Sequence, residues 1–312
     1  MTYILELTNV TKLYGTVIGV NDITVTLPAG AYGLLGPNGA GKSTLLNILT
    51  GQLTPTIGDV KVLGYSPRNE PKLMAQLGYL PGNEGMYADV SALEWVTYLT
   101  QLHGYSHSAA KEKSVLALRR VDLEEHMHRQ ISTYSRGMRQ RTRLAQAIAH
   151  EPSLLILDEP FSGLDPIARH SMNDLLLSWV DEGRSLIVAS HVLHEIESLT
   201  RSFLLLSGGR LLASGSADHI QELLFDVPSE ITIQVDNARQ LAAKLMTNGV
   251  ADAITLTADD TLIVVTRQAI QLSTFLAESA IEKRFVVREI RSADDSLQDV
   301  FNQLMKIHRG EQ

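Results

Sequence analysis

The chain has 312 residues, 44% of them hydrophobic, and a formal net charge of -8, so it holds enough apolar material for two packed domains and disorder is excluded. The acidic balance excludes a chain whose main work is to coat nucleic acid or an anionic membrane, and the absence of cysteine removes disulfides, thiolate metal sites and a cysteine nucleophile. No apolar run approaches the ~18 residues of a membrane span, and Met1 to Glu6 lacks the regions of a secretion signal. A cytoplasmic chain without a span of its own is expected, with any membrane role supplied by a partner.

In chain order, residues 3–35 read as β-rich: Ile4 to Leu7, Val17 to Val20, and Ile23 to Leu27 in strict alternation, then Ala31 to Leu35 as a short buried strand. Tyr14, between the first two strands, reads either as packing or as a platform on which adenine stacks. The next residues, Gly36-Pro37-Asn38-Gly39-Ala40-Gly41-Lys42-Ser43-Thr44, fit the phosphate-binding loop G-x-x-x-x-G-K-[ST] at every position. The glycines let successive backbone N–H groups point inward, and Lys42 opens a helix whose positive end faces the same phosphates. Lys42 is therefore expected on the β- and γ-phosphates of a nucleoside triphosphate and Ser43 on Mg²⁺. The helix runs from Thr44 to Leu49 and stops near Gly51.

A strand over Gly58 to Gly64 and a short helix over Pro71 to Leu77 follow. Between about 85 and 150 the texture turns helical: Ser91 and Glu94 form a capping box ahead of Trp95, Tyr98, Leu99 and Leu102, whose spacing reads as a core stripe, any exposed part of which could receive a partner helix, and Ala109 to Val121 continues as helix. After Ser135 a long helix, Arg136 to Ala149, carries Arg136, Arg139, Arg141 and Arg143, which read as a solvated face. Leu154 to Leu157 is a buried-strand pattern ending in Asp158-Glu159. Carboxylates at the mouth of an apolar strand are costly unless paired or bound to a cation. Asp158 suits Mg²⁺, and Glu159 suits a base for an attacking water. Ser162 to Asp165, a helix from Pro166 to Val180, a strand over Ser185 to Ala189, and Ser190-His191 come next. Strands over Phe203 to Leu206 and Leu211 to Ala213 flank the hairpin signal Gly208-Gly209, and Ala217 to Phe225 reads as helix.

From Pro228 the pattern restarts as β-α-β-β-α-β: Ile231 to Val235, Ala238 to Met246, Ala253 to Thr257, Leu262 to Thr266 after a turn at Asp259-Asp260, Ile270 to Ala280, and Phe285 to Ile290. That is the order of a ferredoxin-like unit. A closing helix holds Ser296 to Phe301. The ten histidines show no metal-ligand spacing, and His126 with His128 reads as a loop pair.

Taken together, Tyr14, residues 36–44, Tyr134 to Met138, Leu155 to Pro160, Ser162 to Asp165 and Ser190-His191 resemble the motif set of an ABC transporter ATP-binding subunit over roughly residues 3–225. The resemblance implies an α/β fold: a P-loop core with an antiparallel β part and an α-helical subdomain (about 85–150), making an ATP-binding domain over 1–226, then a small α+β accessory domain over 228–312. It implies two subunits, most simply a homodimer, closed head to tail over two ATP molecules. Ser135 and Gly137 at a helix start would hold the γ-phosphate bound by the opposite subunit, His191 would touch that phosphate, and Asp165 would couple the two sites. The Tyr-Ser-Arg-Gly-Met form of the signature is similar to that of bacterial drug-export ATPases, which work with a separately encoded permease; the Leu-Gln-Asp-Val-Phe segment near the end resembles the same subclass. The subunit would then sit in the cytoplasm, peripheral at the inner face of the membrane. One position departs: after Tyr79-Leu80-Pro81 the subclass carries Glu or Gln, and this chain has Gly82, leaving Asn83 or Glu84 as candidates for that contact. A soluble ATPase acting on nucleic acid or ribosomes, or an ATP-sensing regulator, are the other readings of the same nucleotide site.

Overall fold

The computed structural model describes residues 3–82, 85–216, 229–258, 260–281 and 285–292. The chain divides into two compact units, Met1–Gly215 and Ser216–Gln312. The helix expected over 217–225, the expected boundary at 226–228, the closing helix and Asn83-Glu84 lie outside the described residues.

The first unit joins two sheets through one helix. Strands β1 (Tyr3–Tyr14), β2 (Val17–Pro28) and β4 (Ile57–Val62) form an antiparallel sheet of order β2-β1-β4. Both β1 and β2 are longer than the sequence pattern indicated. Register shifts within the β1–β2 pair break the period-2 alternation without ending the strands, so the pattern reads as separate pieces. The second sheet has six strands in the order β5-β6-β7-β3-β8-β9: β3 (Ala31–Leu35), β5 (Leu77–Leu80), β6 (Leu154–Asp158), β7 (Ser185–Ser190), β8 (Ser202–Ser207) and β9 (Arg210–Ser216). Strands β5, β6, β7, β3 and β8 pair in parallel. Every residue of β6 and β7 is buried, as a continuous apolar run requires when both faces of a parallel sheet are covered.

Helix α1 (Lys42–Leu49) lies between the sheets and buries Leu45, Leu46, Ile48 and Leu49 in one cluster with Leu5 and Leu7 of β1, Val62 of β4, Ile156 of β6 and Ala189 of β7. Burial of this kind stabilises by roughly 1.5–3 kcal/mol per large side chain, which fixes the loop ahead of α1. The short α2 (Pro71–Met74) is capped by Glu70 and ends before the expected Leu77, which belongs to β5 instead.

The helical part holds α3 (Ala92–Gln101), α4 (His107–Arg120) and α5 (Arg136–Ile148), and α6 (Pro166–Asp181) follows β6. The capping box is present in full, Ser91 Oγ accepting from Glu94 N–H and the Glu94 carboxylate accepting from Ser91 N–H. Two expectations fail here. Tyr98 and Leu102 are exposed, at 57% and 68%, because α3 packs through Leu93, Val96, Thr97 and Thr100. Arg143 is buried rather than solvated, at 5% exposure, because α5 turns that position toward the loop after β5.

In the second unit β10 (Ser229–Val235), α7 (Ala238–Thr247), β11 (Ala253–Leu256), β12 (Thr261–Thr266), α8 (Ala269–Ile281) and β13 (Val287–Ser292) build an antiparallel sheet of order β11-β12-β10-β13. Alternation puts Ile231, Ile233 and Val235 on the face that packs with Leu241, Leu245, Leu272 and Leu276 of the helices.

Candidate functional site

Four neighbouring strands deliver the site from their carboxyl ends: Pro81-Gly82 after β5, Glu159 after β6, His191 after β7 and the phosphate loop after β3. The crevice outside the carboxyl ends of such strands is where open α/β sheets bind ligands. In the loop, Gly41 sits at φ 104°, and a Cβ there would run into the carbonyl oxygen of Gly19, so glycine is required both by conformation and by space. Helix α1 starts without a side-chain cap, and uncapped first-turn N–H groups of this kind can serve a bound anion. The β8–β9 turn pins this arrangement: Gly209 N–H donates to the Ala40 carbonyl at 3.0 Å, and the Gly209 carbonyl accepts from Asn21 N–H at 2.7 Å.

Lys42 folds back into the loop, donating to the carbonyls of Gly36 at 2.6 Å and Pro37 at 3.2 Å, with Glu159 Oε1 at 3.8 Å. Its side chain is almost fully buried; burial pulls its pKa down, and the Glu159 and Asp158 carboxylates oppose that shift. Ser43 Oγ donates to Asp158 Oδ2 at 2.8 Å. Burial pushes the Asp158 carboxyl up against this hydrogen bond, with Glu159 adding to the rise. A buried carboxylate beside a hydroxyl is a hard-oxygen pair that suits Mg²⁺. Glu159 takes the left-handed conformation, φ 51°, a local strain of about 1–3 kcal/mol. Its carboxylate meets His191 Nδ1 at 2.9 Å. The loop of His191 is held in turn by Ser190 Oγ, which donates to Glu195 Oε2 at 2.9 Å and accepts from Val192 N–H.

The structure thus brings Lys42, Ser43, Asp158, Glu159 and His191 together. Tyr14, at the end of β1, lies beside the loop with its hydroxyl 3.5 Å from Thr44 Oγ1, and Lys12 Nζ stands 5.7 Å from its ring centroid. Ser135 and Gly137 lie elsewhere, at the start of α5, where Ser135 Oγ accepts from Met138 N–H at 3.2 Å. Arg136 Nη2 donates to Ser162 Oγ at 3.3 Å, and a Cβ at Gly163 would collide with the Arg136 guanidinium. Asp165 caps α6, accepting from Ala168 N–H at 2.8 Å.

Sequence reasoning missed the buried polar pair on α5. Arg143 Nη1 donates to Gln140 Oε1 at 2.6 Å, Arg143 Nη2 donates to the Pro81 carbonyl, and Gln140 Nε2 donates to the Pro160 carbonyl at 2.7 Å. The signal was present: Gln140, Arg143, Leu144 and Ala147 make one i, i+3, i+4, i+7 stripe whose second half is apolar. A cavity of about 700 Å³ extends from Ser43, Gly82 and Asp158 down to His103 and His150. Those two rings stack with centroids 3.7 Å apart. Tyr79, also on its wall, donates to Asn47 Oδ1 at 3.2 Å, and burial followed by Asp158 pushes its phenol up to about 12.

A phosphate loop after β3, an acid pair after β6 and a histidine after β7 on one parallel sheet define a nucleotide-hydrolysing P-loop protein. Residues 20–162 match the family described as ABC transporter. The chain is 36% identical over 217 residues to the Nod factor export ATP-binding protein I of Cupriavidus pinatubonensis, covering 69% of this chain and 67% of that one. It is 32% identical to the linearmycin resistance ATP-binding protein of Bacillus subtilis over 77% of this chain and 78% of that one. Over 96% of its length it is 29% identical to the daunorubicin/doxorubicin resistance ATP-binding protein of Streptomyces peucetius, 92% of which is covered. Among solved structures, an ATP-binding subunit of an ABC transporter superposes with TM-score 0.65 and 28% identity, covering 71% of this chain and 93% of the other. The chain belongs to the ABC transporter ATP-binding subunits; it binds nucleotide and is an ATPase.

Proposed function

We propose that this subunit hydrolyses MgATP between two copies of its cassette and so powers export through a separately encoded membrane permease. The observation that carries the catalytic reading is the Glu159 carboxylate, bonded to His191 and facing Lys42 at the mouth of β6. Residues 36–44 wrap the phosphates, with Lys42 leaving the Gly36 and Pro37 carbonyls for the β- and γ-oxygens. Tyr14 stacks on the base. Ser43 and Asp158 hold Mg²⁺, which when bound neutralises charge on the phosphates. Glu159 takes the proton of the attacking water as the water oxygen bonds to the γ-phosphorus and ADP leaves. His191 holds the Glu159 carboxylate and meets the γ-phosphate. Charge neutralisation and alignment do most of this work, because the transferring group needs little covalent help. Ser135 and Gly137 supply the opposite copy's γ-phosphate contacts, and Asp165 links the sites. Support for a dimer comes from the location of Ser135 and Gly137 at the start of α5 rather than in the phosphate loop.

Export is supported by what the relatives are named for: Nod factor export in one and linearmycin resistance in another. Among the described residues no helix is long and apolar enough to cross a membrane. The test is purification of tagged Glu159→Gln protein from detergent-solubilised membranes of its own host with ATP present. Recovery of a stoichiometric polytopic membrane protein is expected. Recovery alone, or with ribosomes or nucleic acid, would move the function out of transport.

A further inference from the structure

Gly82, the first described residue after Pro81 at the end of β5, has no side chain, and Asp158 stands where one would go. A Cβ at Gly82 would come 3.1 Å from Asp158 Oδ2 and 3.4 Å from its Cγ. The main chain itself is therefore seated against the metal-binding carboxylate, in space that a side chain would need. Two residues one turn apart on α5 hold it. Arg143 donates to the Pro81 carbonyl and to Gln140 Oε1, and Gln140 donates to the Pro160 carbonyl. Pro81-Gly82 leaves β5 and Glu159-Pro160 leaves β6, so both loops that flank Asp158 are tied to the same turn of one helix. Both side chains are 5% exposed. A guanidinium does not lose its charge, and burying it is costly unless it is hydrogen-bonded in place; its field reaches Asp158 and Tyr79.

We propose that Arg143, acting with Gln140, is a positioning residue for the metal edge of the site: by a clamp from α5 it holds the Pro81-Gly82 main chain against Asp158. The proposal rests on the reading of Ser43 and Asp158 as the metal pair. Its consequence is mechanical. Ser135 caps the start of α5, so a displacement of that end by the opposite subunit moves both loops at the metal together.

The experiment uses the purified full chain with two titrations: a fluorescent ATP analogue without divalent ion, and Mn²⁺ binding to the nucleotide-loaded protein followed by electron paramagnetic resonance. Arg143→Met keeps the stem and removes the donors. It is expected to raise half-saturating Mn²⁺ by about tenfold or more, the usual effect of removing an outer-shell partner, while metal-free nucleotide affinity stays unchanged. Arg143→Lys keeps the charge and should recover part of the loss. Gly82→Ala, on an exposed loop, pushes on Asp158 from the other side and should weaken Mn²⁺ in the same way even where Arg143→Met does not fold. Unchanged Mn²⁺ titration in Gly82→Ala or in folded Arg143→Met overturns the clamp, as does an equal loss of metal-free nucleotide binding. Asp158→Asn is the control. If it leaves Mn²⁺ binding intact, the metal pair itself is wrong and the clamp goes with it.

Discussion

At the carboxyl ends of the parallel strands the side chains are already joined to one another: Lys42 to the loop carbonyls, Ser43 to Asp158, Glu159 to His191. At the start of α5 the reverse holds. Ser135 turns its hydroxyl onto its own helix, and Arg136 lies over Gly163 beside Ser162. The first region gathers the loop lysine, the acid pair and the histidine within one chain; the second is a helix start whose cap hydroxyl serves its own helix. On the proposed function one copy is organised to bind ATP and two are needed to hydrolyse it, and each half of that statement can be broken separately.

The largest effects test the first half of that comparison. Glu159→Gln keeps the volume and removes the base; phosphate release should fall by about 10²–10⁴-fold while equilibrium nucleotide binding is retained. Turnover close to the parent would take Glu159 out of the base role. The second half is tested by mixing. Ser135→Arg alone and Glu159→Gln alone should each be nearly inactive, yet one heterodimer of the two contains one intact pairing of base and signature, so mixing them should restore phosphate release. No restoration breaks the two-copy reading.

Next in size is the foot of α5, where His150 Nε2–H donates to the Leu77 carbonyl at 3.0 Å and the ring stacks on that of His103. Burial, then the neighbouring His103, drives His150 from 6.5 down to about 4. The unfolded chain takes up this proton near 6.5 and the folded chain only near 4, so stability falls as pH drops through that window, by about 3 kcal/mol in all. Denaturant melts at pH 7 and pH 4.5 should show this loss, and His150→Gln should remove most of it. Because His150 is at the far end of the cavity from Asp158, metal-free nucleotide affinity should change less than stability over the same range; parallel loss of both would show that the two regions are not separable.

The phosphate loop, Asp158-Glu159 and the Ser91 capping box were legible in the sequence because each is fixed by local demands: glycine where the backbone turns left-handed, acid where an apolar strand ends, Ser and Glu three apart at a helix start. The six-strand order and the clamp were not. At about 100° per residue along a helix, Arg141 points away from Arg136, Arg139 and Arg143, so the four arginines do not share one face. Arg141 pairs with Asp122 at 3.5 Å and stays partly exposed. What buries Arg143 is the Pro81 carbonyl, far away in sequence, and no window along the chain contains both. Tyr98 and Leu102 misled for the mirror reason: helical spacing shows which residues share a stripe, and tertiary packing decides how much of it is covered.

The smallest predicted effect separates the two roles assigned to Ser135. As the N-cap of α5 its hydroxyl satisfies Met138 N–H, so Ser135→Ala should cost about 1 kcal/mol in stability whether or not the residue ever meets a phosphate. Loss of activity in that variant is therefore ambiguous. Ser135→Asp removes the ambiguity, because Asp caps as well as Ser and favours the positive end of the helix, while its carboxylate repels an incoming γ-phosphate. Parent-like melting with strongly reduced phosphate release places a phosphate at Ser135. Parent-like melting with parent-like release leaves Ser135 as a cap alone, and the two ends of the cassette would then differ in structure without differing in the chemistry they perform.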